Sequence, residues 1–209
     1  MTNARTFPDR SAGRRLDATA LARVAVFAAI VAVLGLPGGF TVAGGVPITV
    51  QTLGVMLAGA ILGPWLGALS MAVLMALVAI GLPLLAGGRG GIGVFFGPSA
   101  GYLLGWVVGA FVIGLIVHAS GRKPVPWRTL VGVLTGGILV IYAVGIPVQS
   151  MVTRLPLGET VLMSLAFVPG DLIKAVTATI IVTTLVRAYP RAFARVWASK
   201  TAPVPERIR

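Results

Sequence analysis

Six apolar blocks dominate this chain and constrain its fold more than any other feature. A helix needs roughly 20 apolar residues to cross the hydrocarbon layer of a membrane, so 209 residues with short loops leave room for about six such helices. Proline and glycine occupy the junctions between blocks, as is usual at helix ends. The last block is interrupted at Pro169-Gly170, and the six run roughly over Ala20–Leu36, Thr49–Leu62, Leu66–Leu82, Tyr102–His118, Leu130–Met151 and Val161–Arg187.

The small number of charged residues also indicates helices that cross a membrane. Charged residues make up 11% and hydrophobic residues 57% of the chain, and its mean hydropathy is +0.99. A soluble domain is about a quarter charged. We therefore predict an all-α polytopic membrane protein with a six-helix transmembrane domain over residues 20–187. The basic segments on either side, residues 1–19 and 188–209, are too short to bury a core.

Lysine and arginine cluster on one side of the predicted bundle. Of 17 basic residues, five lie in or just after the N-terminal segment, three in the link between the fourth and fifth blocks, and six at the C-terminal end. The opposite side receives Arg89 and Arg154. Cytoplasmic loops are enriched in basic residues, so we expect both termini in the cytoplasm and the chain in the plasma (inner) membrane. The basic residues flank the apolar blocks, as expected for charges that set membrane orientation, so we do not expect nucleic acid to bind.

The side chains that most enzymes need are scarce. The chain has no cysteine, one histidine (His118) and five acidic residues. These numbers leave neither a cysteine- or histidine-clustered metal site nor a Ser-His or Cys-His arrangement with supporting acids. The sequence also lacks a Walker-type phosphate loop, so it has no ATP site of its own. We expect no metal, no cofactor and no enzymatic activity, and we expect His118 to lie at a helix end.

Two charged residues inside the last apolar block are the strongest sign of a ligand site. Asp171 and Lys174 are three residues apart, which puts them on one face of a helix. A charge at the membrane centre costs about 2.5–3.5 kcal/mol or more, so such residues face the protein interior or water. Asp171 also suits a helix start, and Lys174 can reach the interface by snorkelling. We favour a ligand, held near an outward-facing helix N-terminus, that carries an acid group and an amide-like or urea-like group.

Other hydrogen-bonding groups lie near the predicted helix ends on the outer side. The glycine-rich loop 86–93 lets backbone approach a ligand, and its arginine can grip a carboxylate; a flexible, solvated loop is equally compatible. The threonines and tyrosines also fit helix packing, whereas Gln51 favours a cavity position. The candidate substrate-binding residues, besides Asp171 and Lys174, are Arg89, Gln51, Gly90, Gly91, Thr49 and Tyr102.

Small residues recur at a spacing of four in the first block. Ala18 with Ala22, and Ala25 with Ala29, form faces that permit close helix approach. The partner helix can belong to this chain or to another membrane subunit, and the spacing alone does not choose between them.

Several motifs follow one another in a characteristic order. They are the run from Val46 through Pro64, Gly81-Leu82-Pro83, the Gly87–Gly93 loop, Gly97-Pro98 with Gly101-Tyr102-Leu103-Leu104-Gly105, and Pro169-Gly170-Asp171-Leu172-Ile173-Lys174. In this order they resemble the BioY family, the biotin-specific substrate-binding (S) components of energy-coupling-factor (ECF) vitamin transporters. The resemblance covers roughly Leu21 to Arg187.

The resemblance implies a six-helix fold with an outward-facing biotin pocket. It implies that Asp171 and Lys174 contact biotin, helped by Gln51 or Arg89, and that the loop between the third and fourth helices closes over the ligand. It also implies three partners, a transmembrane coupling subunit and two ATPase subunits that use ATP, with the alanine-rich first helix as the docking face. The alternatives are an S component for another carboxylate-bearing vitamin, a membrane enzyme, and a structural subunit without a ligand.

Overall fold

The computed structural model describes residues 17–41, 45–119 and 124–190. Within these ranges the chain forms six helical units, because a π turn (Thr135–Val140) joins α5 to α6 and a 3-10 turn (Leu165–Phe167) joins α7 to α8. The all-α, six-helix prediction is confirmed. The helices are α1 (Ala18–Val33), α2 (Gln51–Leu62), α3 (Pro64–Ala79), α4 (Ala100–Val117), α5 (Pro126–Leu134), α6 (Ile141–Thr153), α7 (Leu157–Ser164) and α8 (Val168–Ala188).

The helical units differ in length. Among the described residues, three units are long and apolar enough to cross a membrane: α4, the run Pro126–Thr153 and the run Leu157–Ala188. The units α1, α2 and α3 are apolar but shorter, with 16, 12 and 16 residues. The corresponding second and third apolar blocks of the sequence, Thr49–Leu62 and Leu66–Leu82, are also short for a membrane span, and α1 shares this shortness.

A short antiparallel hairpin between α1 and α2 was not predicted. Its strands are β1 (Gly39–Thr41) and β2 (Pro47–Thr49), and Gly39 pairs with Thr49. A Cβ at Gly39 would lie 2.7 Å from the carbonyl oxygen of Ile48, so the close approach of the two strands requires glycine there. With three residues per strand, the hairpin is too short to show the alternation that identifies strands in a sequence.

Helix α4 forms the centre of the bundle, and its glycines bring neighbouring backbones close. A Cβ at Gly105 would lie 3.1 Å from the Cα of Ile141, and one at Gly109 would lie 2.6 Å from the carbonyl oxygen of Gly136. At the far end of α4, Gly114 packs on the backbone of Gly63 and Pro64 in the turn between α2 and α3. These contacts fix the position of α4 against three other units.

Each helical unit reverses the direction of the chain, so the links fall at two ends of the bundle. The hairpin, the loop between α3 and α4 and the link between α6 and α7 lie at one end, together with the first turns of α2, α4 and α7. The other end holds the start of α1, the end of α8 and His118, which caps α4. The His118 Nε2 lies 2.9 Å from the carbonyl oxygen of Ala60, and burial lowers the pKa of its imidazole, as expected for a histidine packed at a helix end.

Candidate functional site

A cavity opens at the hairpin end of the bundle. It has an empty volume of about 560 Å³ with its mouth included. Side chains from the hairpin, from α2, α4, α6 and α8, and from the α3–α4 loop meet there, so the cavity depends on the whole fold. The lining residues are Val46, Pro47, Ile48, Thr49, Gln51, Thr52, Leu85, Arg89, Tyr102, Leu103, Trp106, Ile141, Tyr142, Phe167, Asp171 and Lys174.

Asp171 and Lys174 form an ion pair in the cavity wall. The Lys174 Nζ lies 2.9 Å from Asp171 Oδ1, and the two side chains are only 13% and 6% exposed. Both residues belong to the first two turns of α8, so their spacing of three puts them on one helical face as predicted. A buried pair of this kind is stable only when further hydrogen bonds satisfy its remaining atoms.

Two hydroxyl groups supply those further hydrogen bonds. Thr52 on α2 accepts a bond of 2.9 Å from the Lys174 Nζ and donates one of 3.3 Å to Asp171 Oδ1. Tyr142 on α6 donates a bond of 2.6 Å to Asp171 Oδ2. The carboxylate therefore accepts three bonds, and the network ties α2, α6 and α8 together at the cavity. From the sequence alone, a packing or interfacial role is favoured for Tyr142. The signal that points to the site is that a tyrosine in an apolar block needs a partner for its hydroxyl.

The segment before Asp171 differs from the prediction. The interruption expected at Pro169-Gly170 falls slightly earlier, at the 3-10 turn Leu165–Phe167, and the backbone N–H of Val168 donates to the carbonyl oxygen of Leu165. Helical turns thus continue into α8, and its N-terminus is not a free helix end. The prediction of an exposed helix N-terminus at the site is wrong for this reason, and side chains supply the charge of the cavity.

Tyr102 lines the cavity, and its hydroxyl bonds to side chains other than Asp171. The hydroxyl lies 2.8 Å from Gln149 Oε1 and 2.9 Å from Ser164 Oγ, in a buried network that joins α4, α6 and α7. Its ring makes edge contacts with Tyr142 and Phe167, at centroid distances of 6.1 and 6.2 Å. Tyr102 therefore offers a ligand an aromatic surface rather than a polar group.

Apolar side chains from three parts of the fold form much of the rest of the cavity wall. Trp106 and Leu103 come from α4, Ile141 from the start of α6, and Phe167 from the turn before α8. The sequence did not single these residues out, because an apolar side chain that lines a cavity looks the same in a sequence as one in the core. Together with Tyr102 they form a box typical of pockets that hold small ring compounds.

Arg89 lies at the mouth of the cavity in the α3–α4 loop. Its Nε donates to the carbonyl oxygen of Ala86 and its Nη1 to Ser99 Oγ, both at 3.2 Å. Partial burial lowers the pKa of the Arg89 guanidinium from its usual value, yet an arginine remains charged. Neither bond partner is anionic, so both leave the positive charge of Arg89 available to attract an acid group.

Gly90 and Gly91 shape the loop and are not among the described residues that line the cavity. A Cβ at Gly90 would collide with the carbonyl group of Leu82. Gly91 has a φ of 83°, in the region that favours glycine, and its N–H donates to the carbonyl oxygen of Val78 at 2.8 Å. Their predicted contact with a ligand stays a prediction.

Gln51 and Thr49 also line the cavity, but both make hydrogen bonds within the protein. Thr49 Oγ1 accepts a bond of 3.3 Å from the N–H of Gln51. The Gln51 side chain is 1% exposed, and its amide bonds to three backbone groups, those of Val31, Leu84 and Ala86. Direct contact of either residue with a ligand stays a prediction.

The alanines singled out on α1 lie on its outer surface. Ala18, Ala22, Ala25 and Ala29 are all exposed, whereas the opposite face of α1 packs on the bundle through Val24, Ala28 and Val31. The exposed alanines form a stripe of small side chains that no other part of the described chain covers. Docking of another subunit on this stripe stays a prediction.

Known proteins resemble this chain in sequence and in structure. The chain is 45% identical over 179 residues to the biotin transporter BioY of Rhodobacter capsulatus, a match that covers 81% of this chain and 94% of that protein. It is 47% identical over 166 residues to the probable biotin transporter BioY of Bacillus subtilis, with 79% and 89% covered. A crystal structure of the S-component for biotin from an ECF-type ABC transporter superposes with a TM-score of 0.76 at 35% identity, covering 81% of this chain and 91% of that one.

A family model described as the BioY family matches residues 8–191, which include every helix and every residue of the cavity. The sequence resemblance, the six helical units and the match to the solved S-component thus indicate the same family. This multi-pass membrane protein belongs to the BioY family.

Proposed function

We propose that this chain captures biotin from the outer side of the plasma membrane and hands it on for uptake into the cytoplasm. The observation that carries the proposal is the buried Asp171–Lys174 pair, which faces an open, largely apolar cavity. Members of the family are transporters, and the chain is a transport component and not an enzyme.

The polar atoms of the cavity match the urea group of biotin. Among the described residues, Asp171 Oδ1 already accepts bonds from Lys174 and Thr52, whereas Oδ2 accepts only the bond from Tyr142. A carboxylate oxygen has about two acceptor sites, so Oδ2 keeps one for a ring N–H of the ligand. The ammonium group of Lys174 uses two of its three donors, on Asp171 and Thr52, and keeps one for the urea carbonyl.

The rest of the ligand meets the other parts of the cavity. The hydrocarbon and thioether parts of the bicyclic ring fit against Tyr102, Trp106 and Phe167, where burial of apolar surface favours binding. The carboxylate tail extends toward the mouth, where Arg89 carries a positive charge. Closure of the loop that contains Arg89, Gly90 and Gly91 then shields the ligand from water.

We further propose that uptake requires the partners implied by the S-component assignment. A transmembrane coupling subunit docks on the alanine stripe of α1 (Ala18, Ala22, Ala25 and Ala29), and two ATPase subunits use ATP. The basic segments 1–19 and 188–209, which lie mostly outside the described residues, face the cytoplasm in this arrangement. The sequence supplies no ATP site, which agrees with energy delivered by a partner.

Equilibrium binding of labelled biotin to the purified chain in detergent tests the proposal. We expect saturable binding that unlabelled biotin displaces and that other carboxylate-bearing vitamins displace poorly. Absence of saturable binding would contradict biotin capture. Displacement by a different vitamin at a lower concentration than biotin would instead identify an S component for that vitamin.

A further inference from the structure

The amide of Gln51 connects three separate parts of the chain. Its Nε2 donates to the carbonyl oxygens of Val31, at the end of α1, and of Leu84, in the α3–α4 loop, both at 3.0 Å. Its Oε1 accepts a bond of 3.0 Å from the N–H of Ala86. Both N–H donors of the amide are therefore used within the protein, and they leave none for a ligand.

The fold has a space shaped for this amide. A Cβ at Gly35 would lie 2.8 Å from Gln51 Nε2 and 3.0 Å from the carbonyl oxygen of Leu84. The φ of Gly35 is outside the left-handed region, so its backbone does not demand glycine. The small size of Gly35 is needed because the Gln51 amide and the loop backbone pack directly against it.

The loop residues that Gln51 holds, Leu84 and Ala86, flank a residue that reaches the cavity. Leu85, between the two bonded residues, is 2% exposed and lines the cavity. Leu85 and Arg89 exchange backbone hydrogen bonds of 3.0 and 3.2 Å, and the Arg89 Nε donates to the carbonyl oxygen of Ala86. The position of Arg89 at the mouth thus depends on Ala86, and the position of Ala86 depends on Gln51.

We propose that Gln51 is a positioning residue that anchors loop residues 84–89 over the cavity, with Gly35 providing the space for its amide, and that it does not contact the ligand. The part of this proposal that concerns ligand release rests on the proposed function. Loss of the anchor frees the loop, so a bound ligand escapes faster while its direct contacts remain intact.

The loop can be observed without any ligand, because the chain has no cysteine. Ala86 is 3% exposed, so a cysteine in the Ala86→Cys variant is protected while the anchor holds. We expect maleimide to label this cysteine about tenfold faster when Gln51→Met or Gly35→Ala is added, since each removes or displaces the hydrogen bonds of the amide. Gly158→Ala is the control, because a Cβ at Gly158 meets nothing within 4 Å.

Equal labelling rates in the Gln51→Met, Gly35→Ala and Gly158→Ala backgrounds would overturn the proposal. Gln51→Glu is the substitute if Gln51→Met does not fold. Its carboxylate can still accept the bond from the N–H of Ala86, but it faces the carbonyl oxygens of Val31 and Leu84 without a donor. Faster labelling is therefore expected for this variant too. The labelling rates are measured without biotin. They therefore test the anchoring role of Gln51 even if the chain does not bind biotin.

The dissociation rate of labelled biotin from the same variants tests the consequence for the ligand. We expect both Gln51→Met and Gly35→Ala to release biotin about tenfold faster than Gly158→Ala, because both loosen the same loop. Faster release from Gln51→Met together with unchanged release from Gly35→Ala would show instead that Gln51 touches the ligand, and would contradict the positioning role.

Discussion

At the scale of single residues, the site depends on a carboxylate held in one orientation. Burying Asp171 and Lys174 away from water carries an electrostatic cost, which their mutual attraction offsets only with additional hydrogen bonds. Thr52 and Tyr142 supply those bonds from two other helices. The orientation of Asp171 is therefore fixed before a ligand arrives, and little ordering remains to be done on binding.

Tyr142→Phe tests this orientation directly. The substitution removes the hydroxyl that donates to Asp171 Oδ2 at 2.6 Å and keeps the ring. We expect biotin affinity to fall by about tenfold or more, because one hydrogen bond to a charged group is worth about 1.5–3 kcal/mol. Equilibrium binding measures the change, and Tyr189→Phe, at the far end of α8 and 64% exposed, is the matched control. Equal affinities of the two variants would contradict a role for Tyr142 in the site.

The sequence predicted some of these residues and not others for a physical reason. A charge in an apolar block is rare, so Asp171 and Lys174 stand out without a structure. Trp106 and Phe167 do not, because apolar residues are expected throughout a membrane domain. The bonds of Gln51 to Val31, Leu84 and Ala86 join residues distant in the sequence, and no local pattern encodes them.

At the scale of helices and strands, the apolar blocks of the sequence correctly predicted six helical units. The predictions were weaker at the junctions, where the hairpin and the 3-10 turn depend on tertiary contacts rather than on periodicity. The alanines of α1 lie on two faces: Ala28 is buried against the bundle, and Ala25 is exposed. The sequence identified the small-residue stripe but could not say which alanines face outward.

Ala25→Trp tests the exposed stripe as a docking surface. A bulky side chain there prevents close approach of another helix but touches nothing in the cavity. We expect unchanged biotin binding by the purified chain and loss of co-purification with the coupling subunit. Ile30→Trp, at an exposed position on another side of α1, is the control and retains the partner. Co-purification that survives Ala25→Trp would place the docking surface elsewhere.

At the scale of the whole molecule, the distribution of charge predicts the orientation in the membrane. The start of α1, the end of α4 and the end of α8 lie at the end of the bundle opposite the cavity, and these are the helix ends nearest in the sequence to most of the 17 basic residues. If that end is cytoplasmic, the cavity opens outward, as capture of an external solute requires.

Single cysteines test this orientation in intact cells, because the chain has none of its own. Gly158→Cys lies at the cavity end, and Val125→Cys, at an exposed position before α5, lies at the opposite end. A membrane-impermeant maleimide is expected to label the first and not the second until the cells are opened. The reverse pattern would place the cavity on the cytoplasmic side.

The central claim is that the buried ion pair holds biotin, and isothermal titration of the purified chain tests it most directly. We expect Asp171→Asn and Lys174→Met each to weaken biotin binding at least about tenfold, because each leaves a buried charged partner unpaired. Arg187→Met removes an exposed cation from the last turn of the same helix and is expected to bind as the wild type does. Wild-type affinity in both Asp171→Asn and Lys174→Met would contradict the account.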